Sequence, residues 1–225
     1  MPRPKSSGPT TSTKGEAARE RIILATVACI ERLGIEGTGV REIAEEANVN
    51  GAAINYHFRS KDNLLGIVLE RTLDEAFSQV LVDFDALVQG GASPRAALES
   101  VFDDAVGGAI RYPRITYAHL REPIVEQYYE GAVMRRLNDF IDGLTRRLFP
   151  KRSEQAERRA RMALAQMWSV VMISGLLPRF FHQTGGVELE NPEMRRQFVA
   201  QLVRLVFSDE PAVSERHPHG AMKKK

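Results

Sequence analysis

The stretch Gly51-Ala-Ala-Ile-Asn-Tyr-His-Phe58 carries polar groups that a hydrophobic core has no use for. At helical spacing Ala53, Ile54 and Phe58 point one way, and Gly51, Ala52, Asn55, Tyr56 and His57 are left on the opposite side. An asparagine amide can pair with the edge of an adenine, and a tyrosine hydroxyl or a histidine N–H can donate to phosphate oxygens. Gly51 and Ala52 open the helix with small side chains, so its N-terminus can come close to a surface. The free backbone N–H groups there suit a phosphate. The chemistry these residue types offer is recognition of nucleic acid.

Such a helix has to be held by others. Upstream, Gly39-Val-Arg-Glu-Ile-Ala-Glu-Glu-Ala47 places Val40, Ile43, Ala44 and Ala47 on one face, giving a helix over about 40–47. Asn48 follows where the chain must turn, and asparagine tolerates the left-handed conformation better than most residues. Val49 plugs the turn, and Asn50 caps the next helix, over 51–58. The unit is a helix-turn-helix over about Val40 to Phe58; a generic short helical hairpin is the plainer reading. A first helix from Glu16 carries Ile22, Ile23, Thr26, Val27, Ile30 and Leu33 on one face and stops at Gly34. Ser60 caps a long helix from Lys61, whose apolar stripe runs to Gly90-Gly91.

Residues 16–70 resemble the DNA-binding domain of TetR-type regulators. The resemblance is carried by Val40-Arg41-Glu42-Ile43-Ala44-Glu45-Glu46-Ala47-Asn48-Val49 and by Tyr56-His57-Phe58-Arg59-Ser60-Lys61-Asp62-Asn63-Leu64-Leu65. It implies that Arg41 reaches a base or phosphate, that Tyr56 and His57 hold phosphate, and that Lys61 contacts the DNA backbone. With Asn50, Gly51, Ala52 and Asn55 these form the expected DNA-binding set. The chain departs from the family pattern at three positions. Gly39 stands where Ser or Thr usually caps, Asn48 where glycine is common, and Asn55 where tyrosine is usual, which makes Asn55 a candidate base reader. The resemblance further implies a double-stranded, pseudo-palindromic operator, a homodimer built from the last two long helices, and a small hydrophobic effector held among the central helices.

Beyond residue 70 the pattern remains helical. Ser93-Pro94 starts a helix to about Tyr112, and a short helical piece follows to Arg121. Further helices are expected over about 124–149, from Ser153 to about Pro178, and over Pro192–Phe207, with a loop from Gln183 to Asn191. The fold class is all-α with about nine helices: a three-helix DNA-binding unit over 15–61 and a larger ligand-binding and dimerisation unit over 62–208. Residues 1–14, with Arg3, Lys5 and Lys14 and no acid, read as a disordered tail or as a basic arm that touches DNA. Residues 209–225 read as a disordered tail. Candidate pocket residues are Phe102, Tyr117, His119, Leu120, Tyr128, Trp168 and Met172, because aromatics and methionine line adaptable apolar pockets. Each of them alone is also ordinary core material.

Bulk composition narrows the function classes. The 225 residues carry a formal net charge of only +2, so any basic footprint is local. The single cysteine, Cys29, excludes an intramolecular disulfide and fits a reducing cytoplasm, where it reads as a small buried hydrophobe. No apolar run has the length a bilayer requires. An all-α enzyme lacks support: there is no nucleophile elbow or phosphate loop, and Gly107-Gly108 and Gly185-Gly186 lack the lysine and spacing of one. His119 with Glu122 has the spacing of a helical metal pair but no second pair to complete a site, so neither metal nor cofactor is expected. A protein-only helical adaptor leaves the exposed Tyr56-His57 pair and Lys61 without a purpose. The expectation is a cytoplasmic DNA-binding regulator, a repressor released by its effector or an activator of the same fold.

Overall fold

The computed structural model describes residues 11–150 and 153–207, and among these it is all helical, with no strand. The ten α-helices are α1 (Thr11–Leu33), α2 (Val40–Ala47), α3 (Gly51–Phe58), α4 (Lys61–Gln89), α5 (Pro94–Arg111), α6 (Pro113–Arg121), α7 (Ala132–Leu148), α8 (Glu154–Leu176), α9 (Phe180–Gly185) and α10 (Pro192–Val206). A π-helical turn, Glu122–Glu126, extends α6.

Helix ends follow local side-chain chemistry. Ser60, Ser93, Ser153 and Asn191 each accept a hydrogen bond from a first-turn backbone N–H, which satisfies a donor the helix itself cannot. Pro94 and Pro192 occupy first-turn positions where a missing N–H costs nothing. Gly34 closes α1 with φ of 81°, and its N–H bonds to the Ile30 carbonyl at 2.8 Å.

Three boundaries differ from the sequence expectation. Helix α1 begins at Thr11, so Thr11–Lys14 are helical, not part of a disordered arm; the Ala-, Glu- and Arg-rich run after Gly15 propagates backward at one hydrogen bond per residue. The rest of that arm, 1–10, and the tail at 209–225 lie outside the described residues. Helix α7 starts at Ala132 rather than near 124, because Gln127 adopts the left-handed conformation (φ 50°) and breaks the chain after the π-helical turn. A tenth helix, α9, forms beyond Pro178 and takes up the start of the expected loop. It ends at Gly186, whose φ is 66°.

Two hydrophobic cores result. The first gathers Ile22, Cys29 and Ile30 of α1, Ile43 of α2, Ile54 and Phe58 of α3, and Leu64 and Val68 of α4. Ile115 and Ala118 of α6 also belong to it. Cys29 is fully buried and burial raises its thiol pKa, as expected of a small packing residue. The second core joins α4, α5, α7, α8 and α10 around an aromatic cluster. Phe77 stacks on Phe140 at 4.7 Å between centroids, and Trp168 lies against both at 5.1 and 4.8 Å. Arg195 of α10 bonds Asp103 of α5 at 2.9 Å, an ion pair only about one-sixth exposed on either side (16% and 15%).

Helix α8 crosses α5 and α6 closely at Gly175. A Cβ there would lie 2.8 Å from Thr116 Cγ2 and 3.0 Å from the Ala109 carbonyl oxygen. Backbone on the far side cannot retreat as a flexible side chain would. Gly175→Ala is therefore expected to lower unfolding stability by about 1–3 kcal/mol in urea titration, with the helical content of the folded state kept.

Candidate nucleic-acid interface and ligand cavity

The α2–turn–α3 unit is built as its residues dictate. Asn48 takes φ 51° and ψ 53°, and Val49 N–H bonds back to the Ala44 carbonyl at 3.0 Å, so the chain reverses within three residues. Val49 packs half-buried against the first core. The Asn50 side chain accepts from Ala52 N–H at 2.9 Å. Ala53 N–H bonds the Asn50 carbonyl at 2.8 Å. Of the first three amides of α3, only that of Gly51 is left for an outside acceptor.

Ile54 and Phe58 anchor α3 in the core, and the opposite face is open. Tyr56 is 84% exposed, its ring edge-on to His57 at 5.1 Å. Asn55 is exposed, and its side-chain amide has no hydrogen-bond partner among the described residues. Ala52 is exposed, while Gly51, His57 and Lys61 are half-buried. A methyl group on Gly51 would sit at ordinary contact distance, 3.7 Å, from Val40, so the fold itself does not require glycine there. Arg41 is exposed and bonded to Glu45 at 2.9 Å; that carboxylate raises its pKa. Reaching DNA would mean exchanging Glu45 for a phosphate or base.

Two features escaped the sequence. Arg59 adopts φ 66° and ψ −43°, and Ser60 N–H bonds the Phe58 carbonyl at 2.8 Å, a γ-turn of the strained hand that swings the chain from α3 into α4. Arg19 of α1 lies over the Phe58 ring at 5.2 Å and adds a cation beside α3. Neither has a local sequence signature, since one depends on a turn geometry and the other on a contact between helices far apart in the chain.

In the larger unit a cavity of about 430 Å³ opens between α4, α5, α6 and α8. Of the candidate pocket residues, His119, Leu120, Trp168 and Met172 line it. The other three do not. Phe102 is 1% exposed and packs edge-on behind Trp168 at 5.9 Å. Tyr117 lies outside the arc of α6 that faces the cavity, formed by Ile115, Thr116, His119 and Leu120. Tyr128 is exposed on the segment between the π-helical turn and α7, where the expected helix is absent. Phe77, Val80 and Tyr112 line the cavity without having been singled out; the α4 stripe that supplies the first two reads equally well as core. Among the described residues, no His, Cys, Asp and Glu group is placed to hold a metal ion, and no helix is long and apolar enough to cross a membrane.

The architecture is a helix-turn-helix unit followed by a larger all-helical unit. Residues 22–66 match the family model of bacterial regulatory proteins of the tetR family. Over this stretch, which holds α2, α3 and the start of α4, the chain is similar to the regulators of that family. It is 24% identical over 162 residues to the HTH-type transcriptional regulator BetI of Escherichia coli, covering 70% of this chain and 83% of that one. A transcriptional regulator from Rhodococcus sp. Rha1 superposes with a TM-score of 0.63 at 22% identity, covering 84% of this chain and 96% of the other. FadR of Thermus thermophilus, a TetR-family repressor solved in complex with lauroyl-CoA, superposes with a TM-score of 0.56 at 21% identity, over 90% and 100% of the two chains.

His119 sits in the cavity wall with Nε2 3.1 Å from the Leu69 carbonyl and 2.9 Å from Thr72 Oγ1. A carbonyl only accepts, so Nε2 carries the proton. Burial pushes the imidazole pKa down to about 4, outweighing the Leu69 hydrogen bond. The unfolded chain takes up this proton near pH 6.5 while the folded chain resists it. The stability from neutral His119 is therefore complete above about pH 6.5 and is lost as pH falls toward 4. Urea midpoints at pH 7 and pH 5 are expected to show wild type losing up to about 2 kcal/mol more than His119→Gln, which keeps a donor but does not titrate.

Proposed function

We propose that the protein is a homodimeric repressor that leaves its operator when a small, largely apolar effector occupies the α4–α6 cavity. In this reading α3 lies in the major groove. Arg41, Asn50, Gly51, Ala52, Tyr56, His57 and Lys61 grip the backbone and approach the groove, and Asn55 reads a base. The open side of α3 supports this, since Tyr56 and Asn55 are exposed there while Ile54 and Phe58 hold the helix rigid from behind.

The observation that carries effector control is that α6 forms both a wall of the cavity and a clamp on the DNA-binding unit. Glu31, near the end of α1, accepts from the first free amides of α6, those of Arg114 at 3.4 Å and Ile115 at 3.1 Å. The Arg114 guanidinium bonds the Arg32 carbonyl, and Arg121 faces Glu36 at 3.7 Å. A ligand that displaces Ile115, Thr116 or His119 therefore moves α1 as well as α4. A differential affinity of about 1–3 kcal/mol between two such arrangements is enough to regulate binding.

The dimer is assigned to α8 and α10. Met162 (60% exposed), Ala165, Ser169 and Leu177 form one open stripe along α8 and its C-terminus, suited to a four-helix bundle with a second copy. Two α3 helices must then lie about 34–36 Å apart to enter successive major grooves of a pseudo-palindromic site. The apolar cavity supports a ligand-controlled regulator of the kind that the lauroyl-CoA complex of FadR represents. A promoter fusion tests repression: transcription is expected to rise when the protein is deleted.

Gel shifts on operator DNA test the DNA assignment residue by residue. Tyr56→Phe is expected to weaken binding to all sequences alike, by about threefold to tenfold, while Asn55→Ala relaxes preference at one base pair per half-site. Unchanged sequence preference in Asn55→Ala would remove Asn55 from base reading. For assembly, Ser169→Arg is expected to shift the protein from dimer to monomer in sedimentation equilibrium and to weaken operator binding with it.

A further inference from the structure

The mouth of the cavity is charged on one side only. Glu75 and Asp83 of α4 and Asp104 of α5 line it, and none of its lining residues is lysine or arginine. Asp83 accepts only from the neutral amide of Gln79, at 2.8 Å, and Asp104 has neither hydrogen bond nor ion pair among the described residues. Glu75 bonds Arg71 at 2.6 Å, but that guanidinium also holds Glu20 at 2.6 and 2.8 Å, so two carboxylates share one positive charge. His119 is neutral at pH 7 and adds no compensating cation. The interior beyond this rim is apolar and aromatic, with Phe77 and Trp168 in its wall and Tyr112 near its opening.

We propose that the effector taken by this cavity is a lipophilic organic cation, held by its apolar body inside and by the carboxylates of Asp83 and Asp104 at the mouth. The proposal rests on the reading of the cavity as the effector site and names the class of ligand. A neutral hydrophobe gains nothing from unpaired carboxylates, and an anion is repelled by them. A cation receives their attraction where low-dielectric walls concentrate the field, and aromatic rings add to it. The apolar volume selects for a bulky hydrocarbon frame over a small, strongly hydrated ammonium.

Trp168 is the chain's single tryptophan and stands in the cavity wall, so its fluorescence reports occupancy. The test titrates the full-length protein with tetraphenylphosphonium, with tetraphenylborate, which has nearly the same shape and the opposite charge, and with neutral triphenylmethanol. The phosphonium is expected to bind at least about tenfold more tightly than the borate at low salt, with the gap narrowing as salt is added. The double variant D83N/D104N is expected to lose about tenfold in phosphonium affinity, since two partly exposed ion pairs are removed, and to bind triphenylmethanol unchanged. Borate or triphenylmethanol binding as tightly as the phosphonium overturns the cation preference and leaves the effector site standing. An unchanged phosphonium affinity in D83N/D104N overturns the role of the two carboxylates. Absence of saturable binding by all three probes overturns the cavity as an effector site, and this proposal with it.

Discussion

Helix α4 buries Leu64, Leu65 and Val68 in one core and Leu73, Phe77 and Phe84 in the other, and the relation between the two units depends on that shared rod. Its 29 residues span about 43 Å, and the helix has no proline or cap to bend it between the cores. The helix-turn-helix unit therefore does not hang on a linker. A rotation of α4 about its length is transmitted to Leu64 at one end and Phe77 at the other. Each core alone is small, and the hydrophobic burial that stabilises one also fixes the angle at which the other is presented.

A second connection makes this a frame rather than a single strut. Helix α6 contributes Ile115 and Ala118 to the first core and Thr116, His119 and Leu120 to the cavity, so adjacent faces of one short helix serve the two units. Glu31 caps α6 from α1, while the His119 Nε2 proton goes to Leu69 of α4. Exposed ion pairs such as Arg121 with Glu36 contribute little energy each. Their effect is geometric: they set which positions of α6 are compatible with a packed first core. Gly175 sets the other limit, since α8 touches α6 at Thr116 with no room for a side chain. Helix α6 is thus confined between α8 and α1, and a guest in the cavity competes with that confinement.

Much of the fold was legible because it is local. Asn48 at the turn, Asn50, Ser60 and Ser93 as caps, and Gly34 as a helix stop all act within four residues, and each stands where its side chain or backbone freedom places it. The break at Gln127 and helix α9 were not legible, because no glycine or proline marks the first and the second is a short helix just beyond a proline that reads as a stop. The open face of α3 followed from period and residue type. The cavity followed only in part: Trp168, Met172, His119 and Leu120 line it, whereas Phe102, Tyr117 and Tyr128 do not. An aromatic on an amphipathic helix is equally suited to core and pocket. Which it joins depends on the packing of helices distant in sequence, and a single helix does not encode that.

The junction of α3 and α4 shows how the two ends of this frame meet. A left-handed γ-turn at Arg59 costs on the order of 1–3 kcal/mol of backbone strain and persists only where its surroundings over-determine it. Here they do. Phe58 is locked in the core on one side, and its carbonyl accepts from both Ser60 N–H, at 2.8 Å, and Asn63 Nδ2, at 2.9 Å. Ser60 Oγ in turn accepts from Asn63 N–H at 3.1 Å and starts α4. The first turn of α4 therefore dictates where α3 points, and no flexible loop lies between them to absorb a movement. Whatever tilts α4 at the cavity tilts the face that carries Asn55 and Tyr56. A stiff, strained corner passes such a displacement on to the exposed side chains of α3, whereas a relaxed corner would dissipate it.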